Sequence, residues 1–340
     1  MNKKLVSAVL CGTMILGSVS PVFAGTADGM KIALVAKSAG NAFFEIAADA
    51  FEETVTAEGG TVEKVYPEAA TADAQIKALD NLISQDFDAI CISANDVNAL
   101  QAKLEEAMDE GIKVSCFDSA PNKDSRQVFV NQAGTVAVGQ ALMDAVLDIA
   151  GGEGQWAILS ATSQAANQNA WIDAMKKIME EDEKYSKLEL VEVAYGDDEP
   201  QKSTDQTAAL LEKYPDLKVI CAPTTVGIAA AAKYLQDNES ACKLTGLGLP
   251  SEMIEYTGAD DAHSCPYFYL WDMVGLGNLS AYSTIALISG DITGALDETF
   301  TAGDMGEYTI TEADDGGTEI VLGLPLQFNS DNIEEMAKLY

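Results

Sequence analysis

Histidine is almost absent from this chain: one residue, His263, in 340. A zinc site, a Ser-His-Asp triad or a Cys-His pair would depend wholly on that residue, and no motif surrounds it. Basic residues are scarce as well. Twenty Lys and Arg stand against 54 Asp and Glu, giving a formal net charge of −34. Nucleic-acid binding needs clustered cations to neutralise phosphates, so a polyanion partner is excluded. The acidic residues are spread along the chain in short runs, such as Glu180–Glu183 and Asp314–Asp315, and read as a solvated surface.

A disulfide scaffold is also missing. Six Cys are present, and five lie beyond the N-terminal segment: Cys91, Cys116, Cys221, Cys242 and Cys265. The odd number argues against a framework of bridges, and there is no C-x-x-C. Cys91, Cys116 and Cys221 sit inside apolar, strand-like runs, where a free thiol behaves as a small hydrophobe. Whether Cys242 and Cys265 pair stays open. Phosphate loops are absent too. The stretch Gly275-Leu276-Gly277-Asn278-Leu279-Ser280 is a broken G-x-G-x-x-G inside a helical pattern instead of after a strand. No G-x-S-x-G occurs, and no residue pair is marked for acid–base work. The chain is therefore not expected to be an enzyme, and no metal or cofactor is expected.

What is present begins with an address. Lys3 and Lys4 precede an apolar run, Leu5 to Leu16. Pro21 breaks it, and Val22-Phe23-Ala24 ends in a small residue suited to cleavage. Met1–Ala24 reads as a Sec signal peptide, and no later segment offers about 18 apolar residues in a row. Cys11 follows Leu10, where lipidation wants a small residue, so lipidation is not expected. The expected location is the periplasm or the cell exterior.

The rest alternates strand and helix. Lys31–Ala36, Thr61–Tyr66, Ala89–Ser93, Lys113–Phe117 and Val128–Asn131 read as strands, with helices over Ala42–Glu58, Ala72–Gln85 and Val97–Glu110 between them. The pattern then restarts. Strands at Trp156–Leu159, Leu188–Ala194, Val219–Ala222, Leu244–Leu247 and His263–Leu270 are interleaved with helices over Asn169–Glu181, Thr204–Lys213 and Gly227–Gln236. A long helix, Val274–Ser289, stops at Gly290. Two successive βα arrays of similar size imply an α/β protein of two doubly wound parallel-sheet lobes, with the cut near Asn131–Gly134.

Ligands of such sheets sit outside the carboxyl ends of the strands, so the residues there carry the site. They include Lys37 with Phe43 and Phe44 after the first strand, and Asn95 and Asp96 after the third. Asp118-Ser119 follows the fourth, and Asn167-Gln168 the first strand of the second array. Pro223-Thr224-Thr225 and Trp271-Asp272 follow later strands. One cation, up to three carboxylates, neutral amides, hydroxyls and aromatic faces together suit a polyhydroxylated ligand. Its hydroxyls need donors and acceptors at once, and its C–H faces suit rings. The packing alternatives are plain. Asp118 and Asp272 could cap helices, Phe43 could be core, and Trp171 is most simply a core residue of its helix.

The segments AKSAGNAFFE, DAICISANDVNAL, GIKVSCFDS, VNQAGTVAVGQAL, NQNAW, YPDLKVICAPTTVGIAAAA, LWD and PLQFNSDNI span the chain beyond the signal segment. With them it resembles the type I periplasmic-binding-protein family, the sugar receptors of ABC transporters. NQNAW, LWD and FNSDNI are similar to the autoinducer-2 receptor and rhamnose-receptor branch. The resemblance implies site residues at Lys37, Asp118, Asn167, Gln168, Pro223 and Thr225, to which the strand-end reading adds Phe44, Asp96 and Asp272. Asn167 stands where the autoinducer-2 pattern has aspartate, and Thr225 where it has alanine. Autoinducer-2, a rhamnose-like sugar and a pentose all stay open as ligands.

The resemblance also implies a clamp whose lobes are joined by a three-crossing hinge. The first lobe would take residues 26–131 plus about 271–304, and the second 132–270 plus about 305–340. A monomer delivering its ligand to a membrane permease is expected, with a sensory receptor signalling to a chemoreceptor or kinase as the alternative. A transcription repressor on the same core would need a helix-turn-helix and a basic surface. A secreted enzyme would need a nucleophile or a cofactor fingerprint.

Overall fold

The computed structural model describes residues 26–340; the expected signal peptide, Met1–Ala24, lies outside them. The first array runs β1 (Lys31–Val35), α1 (Ala42–Ala57), β2 (Thr61–Val65), α2 (Ala72–Ile83), β3 (Ala89–Ile92), α3 (Gln101–Asp109), β4 (Lys113–Phe117) and β5 (Val128–Ala133). The second runs α4 (Thr135–Ile149), β6 (Gly154–Ser160), α5 (Ala166–Glu181), β7 (Leu188–Tyr195), α6 (Pro200–Lys213), β8 (Leu217–Ala222), α7 (Thr225–Asp237), β9 (Lys243–Gly246), α8 (Pro250–Met253) and β10 (Tyr267–Leu270). Then come α9 (Met273–Ser289), β11 (Thr299–Thr301), β12 (Glu307–Thr309), β13 (Thr311–Glu312), β14 (Thr318–Gly323), β15 (Leu326–Asn329) and α10 (Ile333–Met336).

The central strands are short runs of Ile, Val, Leu, Ala and Cys, buried on both faces, as a parallel sheet covered by helices requires. Seven strands form the first sheet in the order β13-β14-β5-β4-β3-β1-β2. Only β13 runs antiparallel to its neighbour. The second sheet is β7-β6-β8-β9, all parallel, and β10 pairs with β15 beside it. A single bridge, Leu247 to Tyr269, links that pair to the β9 edge.

The chain passes between the sheets after Ala133, after Leu270 and after Gly323. The last passage corrects the expected division of the C-terminal third. β14 pairs in parallel with β5, with Ile320 opposite Val130, so residues 311–323 belong to the first sheet and not the second. Only β15 and α10 return to the second lobe. One side of the first sheet, β13 and β14, is supplied from the far end of the chain, a placement that no local pattern encodes.

α9 returns to the first lobe and packs along α1. Close approach explains Gly277: a Cβ there would lie 2.2 Å from the Ala47 carbonyl oxygen. A Cβ on Gly275 would instead meet the side chain of Asp272, so the broken G-x-G-x-x-G serves helix packing at one glycine and the helix cap at the other. Gly290, at φ 82°, ends the helix in the left-handed conformation that glycine adopts without penalty.

Smaller differences are local. The helix expected from Val97 begins at Gln101 because Asp96 Oδ1 accepts hydrogen bonds from the Asn98 and Ala99 amides, both at 2.8 Å, and holds a turn. The strand expected from His263 begins at Tyr267. Most relevant to function, α5 starts at Ala166, so Asn167 and Gln168 lie in its first turn.

Candidate binding site between the lobes

The ends of β1, β4, β6, β7 and β8 converge on one cavity between the lobes. The first lobe contributes Lys37, Asn41, Phe43, Phe44 and Asp118; the second contributes Asn167, Gln168, Trp171, Asp198, Pro223, Thr224, Thr225 and Leu247. Leu270 and Trp271 enter from the passage between β10 and α9.

The polar centre is a chain of contacts across the lobes. Lys37 Nζ donates to Asn167 Oδ1 at 2.8 Å, and Asn167 Nδ2 donates to Asp118 Oδ1 at 3.1 Å. Lys37 Nζ also lies 3.7 Å from Asp118 Oδ2. A second link joins Thr225 Oγ1 to Asn41 Oδ1 at 3.3 Å. Lys37 and Asp118 are each 4% exposed, so solvent screens their attraction weakly.

These side chains are held from behind. Ser93 Oγ donates to Asp118 Oδ2 at 2.7 Å. Asn95 Nδ2 donates to the Lys37 carbonyl at 2.9 Å. Gln75, fully buried on α2, donates to the carbonyls of Ala36 and Ser93 and accepts from the Asn95 amide. One amide thus ties the ends of β1 and β3 into a rigid rim.

Two carboxylates adopt backbone conformations that side chains favour little: Asp118 at φ 60° and Asp198 at φ 55°. Asp tolerates this region better than most residues, and such strain persists where surrounding structure fixes it. Burial pushes both carboxyls above their ordinary value. For Asp118 the effect is opposed by Lys37 and by hydrogen bonds from Ser93 and Asn167. For Asp198 it is opposed by the hydroxyl of Thr224. One cation and two carboxylates make the cavity unfavourable to an anionic ligand.

Aromatic rings form the remaining wall. Phe43 stands edge-on to Phe44, with centroids 5.1 Å apart, and to Trp271 at 6.0 Å; Trp271 lies 5.6 Å from Trp171. Two cavity atoms lack partners among the described residues: the acceptor Gln168 Oε1 and the donor Trp271 Nε1. A buried polar atom without a partner costs about 1–3 kcal/mol.

Of the expected site residues, Lys37, Phe44, Asp118, Asn167, Gln168, Pro223 and Thr225 line the cavity. Asp96 and Asp272 do not. The Asp96 carboxylate is consumed by its own turn, as above. Asp272 caps α9, accepting from the Gly275 amide at 2.8 Å and from the Tyr340 hydroxyl at 2.9 Å. Trp171, expected in the core, is both buried and part of the wall. Asp198 was not among the expected residues. It follows β7, and the strand-end rule applied there would have reached it. Among the described residues no cluster of His, Cys, Asp or Glu is arranged to hold a metal ion, and no helix is long and apolar enough to cross a membrane.

Two α/β lobes with a polar, aromatic-walled cavity between their strand ends define an interlobe solute-binding protein. Residues 32–292 match the periplasmic binding protein domain, and the chain belongs to that family. It is 55% identical to an ABC transporter solute-binding protein from Clostridium phytofermentas solved with bound L-rhamnose, covering 92% of this chain and 99% of that one at a TM-score of 0.90. A sugar ABC transporter protein from Actinomyces odontolyticus is 38% identical over 90% of this chain and 97% of its own, at a TM-score of 0.70. LsrB from Clostridium saccharobutylicum, solved in complex with AI-2, is 21% identical over 90% of this chain and 99% of its own at 0.82, a likeness of fold.

Proposed function

We propose that this protein is the receptor of a sugar ABC transporter and that its ligand is L-rhamnose or a closely related neutral deoxyhexose. The observation that carries the reading is the pair of unpartnered atoms, Gln168 Oε1 and Trp271 Nε1, in a cavity walled by aromatic rings. A sugar hydroxyl is donor and acceptor at once and answers both. The rings suit C–H faces and the methyl group of a deoxy sugar. Likeness to a rhamnose-bound protein at 55% identity supports the choice of sugar.

In this reading Lys37, Phe44, Asp118, Asn167, Gln168, Pro223 and Thr225 contact the ligand, joined by Asn41, Trp171, Asp198 and Trp271. The ligand bridges residues 26–133 and 271–323 on one side to 134–270 and 324–340 on the other, and shifts the population toward the closed clamp. The closed form docks on a membrane permease as a monomer. The protein is exported with Met1–Ala24 removed and returns its ligand chemically unchanged.

Calorimetric titration of the exported chain with L-rhamnose, autoinducer-2, D-ribose, D-xylose and D-galactose tests this. L-rhamnose is expected to bind tightest and to be recovered intact. Tighter binding of autoinducer-2 or a pentose overturns the ligand assignment, and a new product overturns the binding-only reading.

A further inference from the structure

A second chamber lies against the first and shares Asp118, Asn167 and Trp171 with it. Its other walls come from β5, β14, the first turns of α5 and the loops that carry Val97, Ala120-Pro121 and Ala313–Asp315. The two spaces therefore share side chains that the sugar reading places against the ligand.

Three polar atoms of this chamber's wall are buried without a partner among the described residues: both amide atoms of Gln132 and Nε of Arg126. Gln132 is 1% exposed. In a well-packed interior such a side chain is paired, and an amide with neither donor nor acceptor satisfied is exceptional. Arg126 is the chain's single arginine. Its terminal nitrogens are taken by Asp315 through two hydrogen bonds of 2.8 Å, which leaves Nε. Glu319 is likewise engaged, accepting from Asn131 Nδ2 at 2.8 Å.

The charge balance selects the occupant. Asp118, Asp314, Asp315 and Glu319 line the chamber against one arginine, so an anionic group is rejected. Asp315 is paired with Arg126 and Glu319 with Asn131, and among the described residues no cluster of ligating side chains is arranged to hold a metal ion. Phe129, Ala166 and Ala170 add apolar surface. Unpaired amide atoms beside a ring, in a space that repels anions, suit a neutral group carrying hydroxyls.

We propose that this chamber receives a second, neutral glycosyl unit, so that the protein accepts a deoxyhexosyl disaccharide with one ring in each space. The proposal rests on the sugar reading of the first cavity and extends it to a larger substrate class.

The test titrates L-rhamnose, a neutral α-L-rhamnosyl-L-rhamnose disaccharide, and a rhamnosyl disaccharide whose second ring carries a carboxylate. Each is measured on the wild type, on Ala170→Phe, which fills the chamber from an exposed helical position, and on Gln132→Leu, which removes the amide. The neutral disaccharide is expected to bind the wild type within about tenfold of L-rhamnose, and the acidic one at least about tenfold more weakly. Ala170→Phe should weaken the neutral disaccharide about tenfold or more while L-rhamnose changes less than about twofold. Gln132→Leu should act in the same direction. If L-rhamnose fails but the neutral disaccharide binds and Ala170→Phe blocks it, the chamber stands and the monosaccharide assignment falls. Failure of the neutral disaccharide to bind the wild type overturns the proposal, whatever L-rhamnose does. Equal weakening of both sugars by Ala170→Phe overturns it as well.

Discussion

Asn167 Nδ2 lies 3.1 Å from Asp118 Oδ1, so an amide on the second lobe donates to a buried carboxylate on the first. Its own oxygen accepts from Lys37 at 2.8 Å. A carboxylate at this position would keep the second contact and turn the first into a repulsion. The amide lets the two lobes meet at neutral pH without a proton.

Asn167→Asp is accordingly expected to weaken L-rhamnose binding. Two like charges 3.1 Å apart repel by roughly 5 kcal/mol at an effective dielectric of about 20. The pair relieves this by holding a proton, which is easier in acid. Calorimetry should therefore find affinity about tenfold or more below wild type at pH 7.5, partly restored at pH 5.5. Equal affinity at both pH values would show that Asn167 and Asp118 do not meet in the bound state.

Trp271→Phe tests the unpaired indole. It removes the Nε1 donor while keeping an aromatic ring beside Phe43 and Trp171. A lost hydrogen bond of about 1–1.5 kcal/mol corresponds to about tenfold in affinity for L-rhamnose. The change of tryptophan emission on ligand addition should shrink as well. Trp156 is buried in β6 and should serve as an unresponsive background. Unchanged affinity would mean that the indole N–H does not face the sugar.

Gly277→Ala tests how the first lobe positions its aromatic wall. The added methyl would fall 2.2 Å from the Ala47 carbonyl and 2.8 Å from Ala50 Cβ, so α1 and α9 must separate. Overpacking costs about 1–3 kcal/mol, which outweighs the helix-propensity gain of up to about 1 kcal/mol. The melting temperature should fall by a few degrees, roughly 2–4 °C per kcal/mol. Ala47 lies one turn beyond Phe43, so sugar affinity should fall with it. A melting temperature at or above wild type would show that the helices have room to spare.

Much of this architecture is legible in the chain because buried parallel strands are short apolar runs and their helices carry a clear period. The site was legible where a strand end is followed by residues that have no packing role, as at Lys37 and Asn167-Gln168. It was not legible where the same residue type serves the backbone. Asp96, Asp118 and Asp272 all follow strands, yet Asp96 and Asp272 spend their oxygens on nearby amides. Asp118, at φ 60°, instead receives Ser93 and Asn167 on its oxygens, and neither that φ nor those distant partners can be read from the local sequence. Asp198 was hidden differently. It sits in an acidic stretch, Asp197-Asp198-Glu199, that reads as a solvated loop after a half-exposed edge strand. The 311–323 segment was misplaced because sheet order depends on contacts between residues some 190 positions apart, such as Asn131 with Glu319 at a separation of 188.

Asp198→Asn separates the cost of a buried charge from its use. Burial raises the carboxyl of Asp198, which means that the folded state disfavours the ionised form. For an acid whose folded pKa lies above its unfolded one, the destabilisation is fully present above the folded value. It disappears as pH falls through that value toward the ordinary 3.8. Asn removes the charge, can still accept from the Thr224 hydroxyl, and tolerates φ 55°. The ligand-free variant is therefore expected to melt higher than wild type at pH 7, by about 2 °C for each kcal/mol relieved. That gain should shrink steadily as the pH is lowered into the carboxylate range. L-rhamnose affinity should fall at neutral pH, because a charged acceptor for a sugar hydroxyl is stronger than a neutral one. Scanning calorimetry of both proteins between pH 4 and pH 7.5, with and without sugar, measures the two effects separately. A variant less stable than wild type at pH 7, or one whose advantage grows in acid, would show that Asp198 is stabilised as an anion by its surroundings.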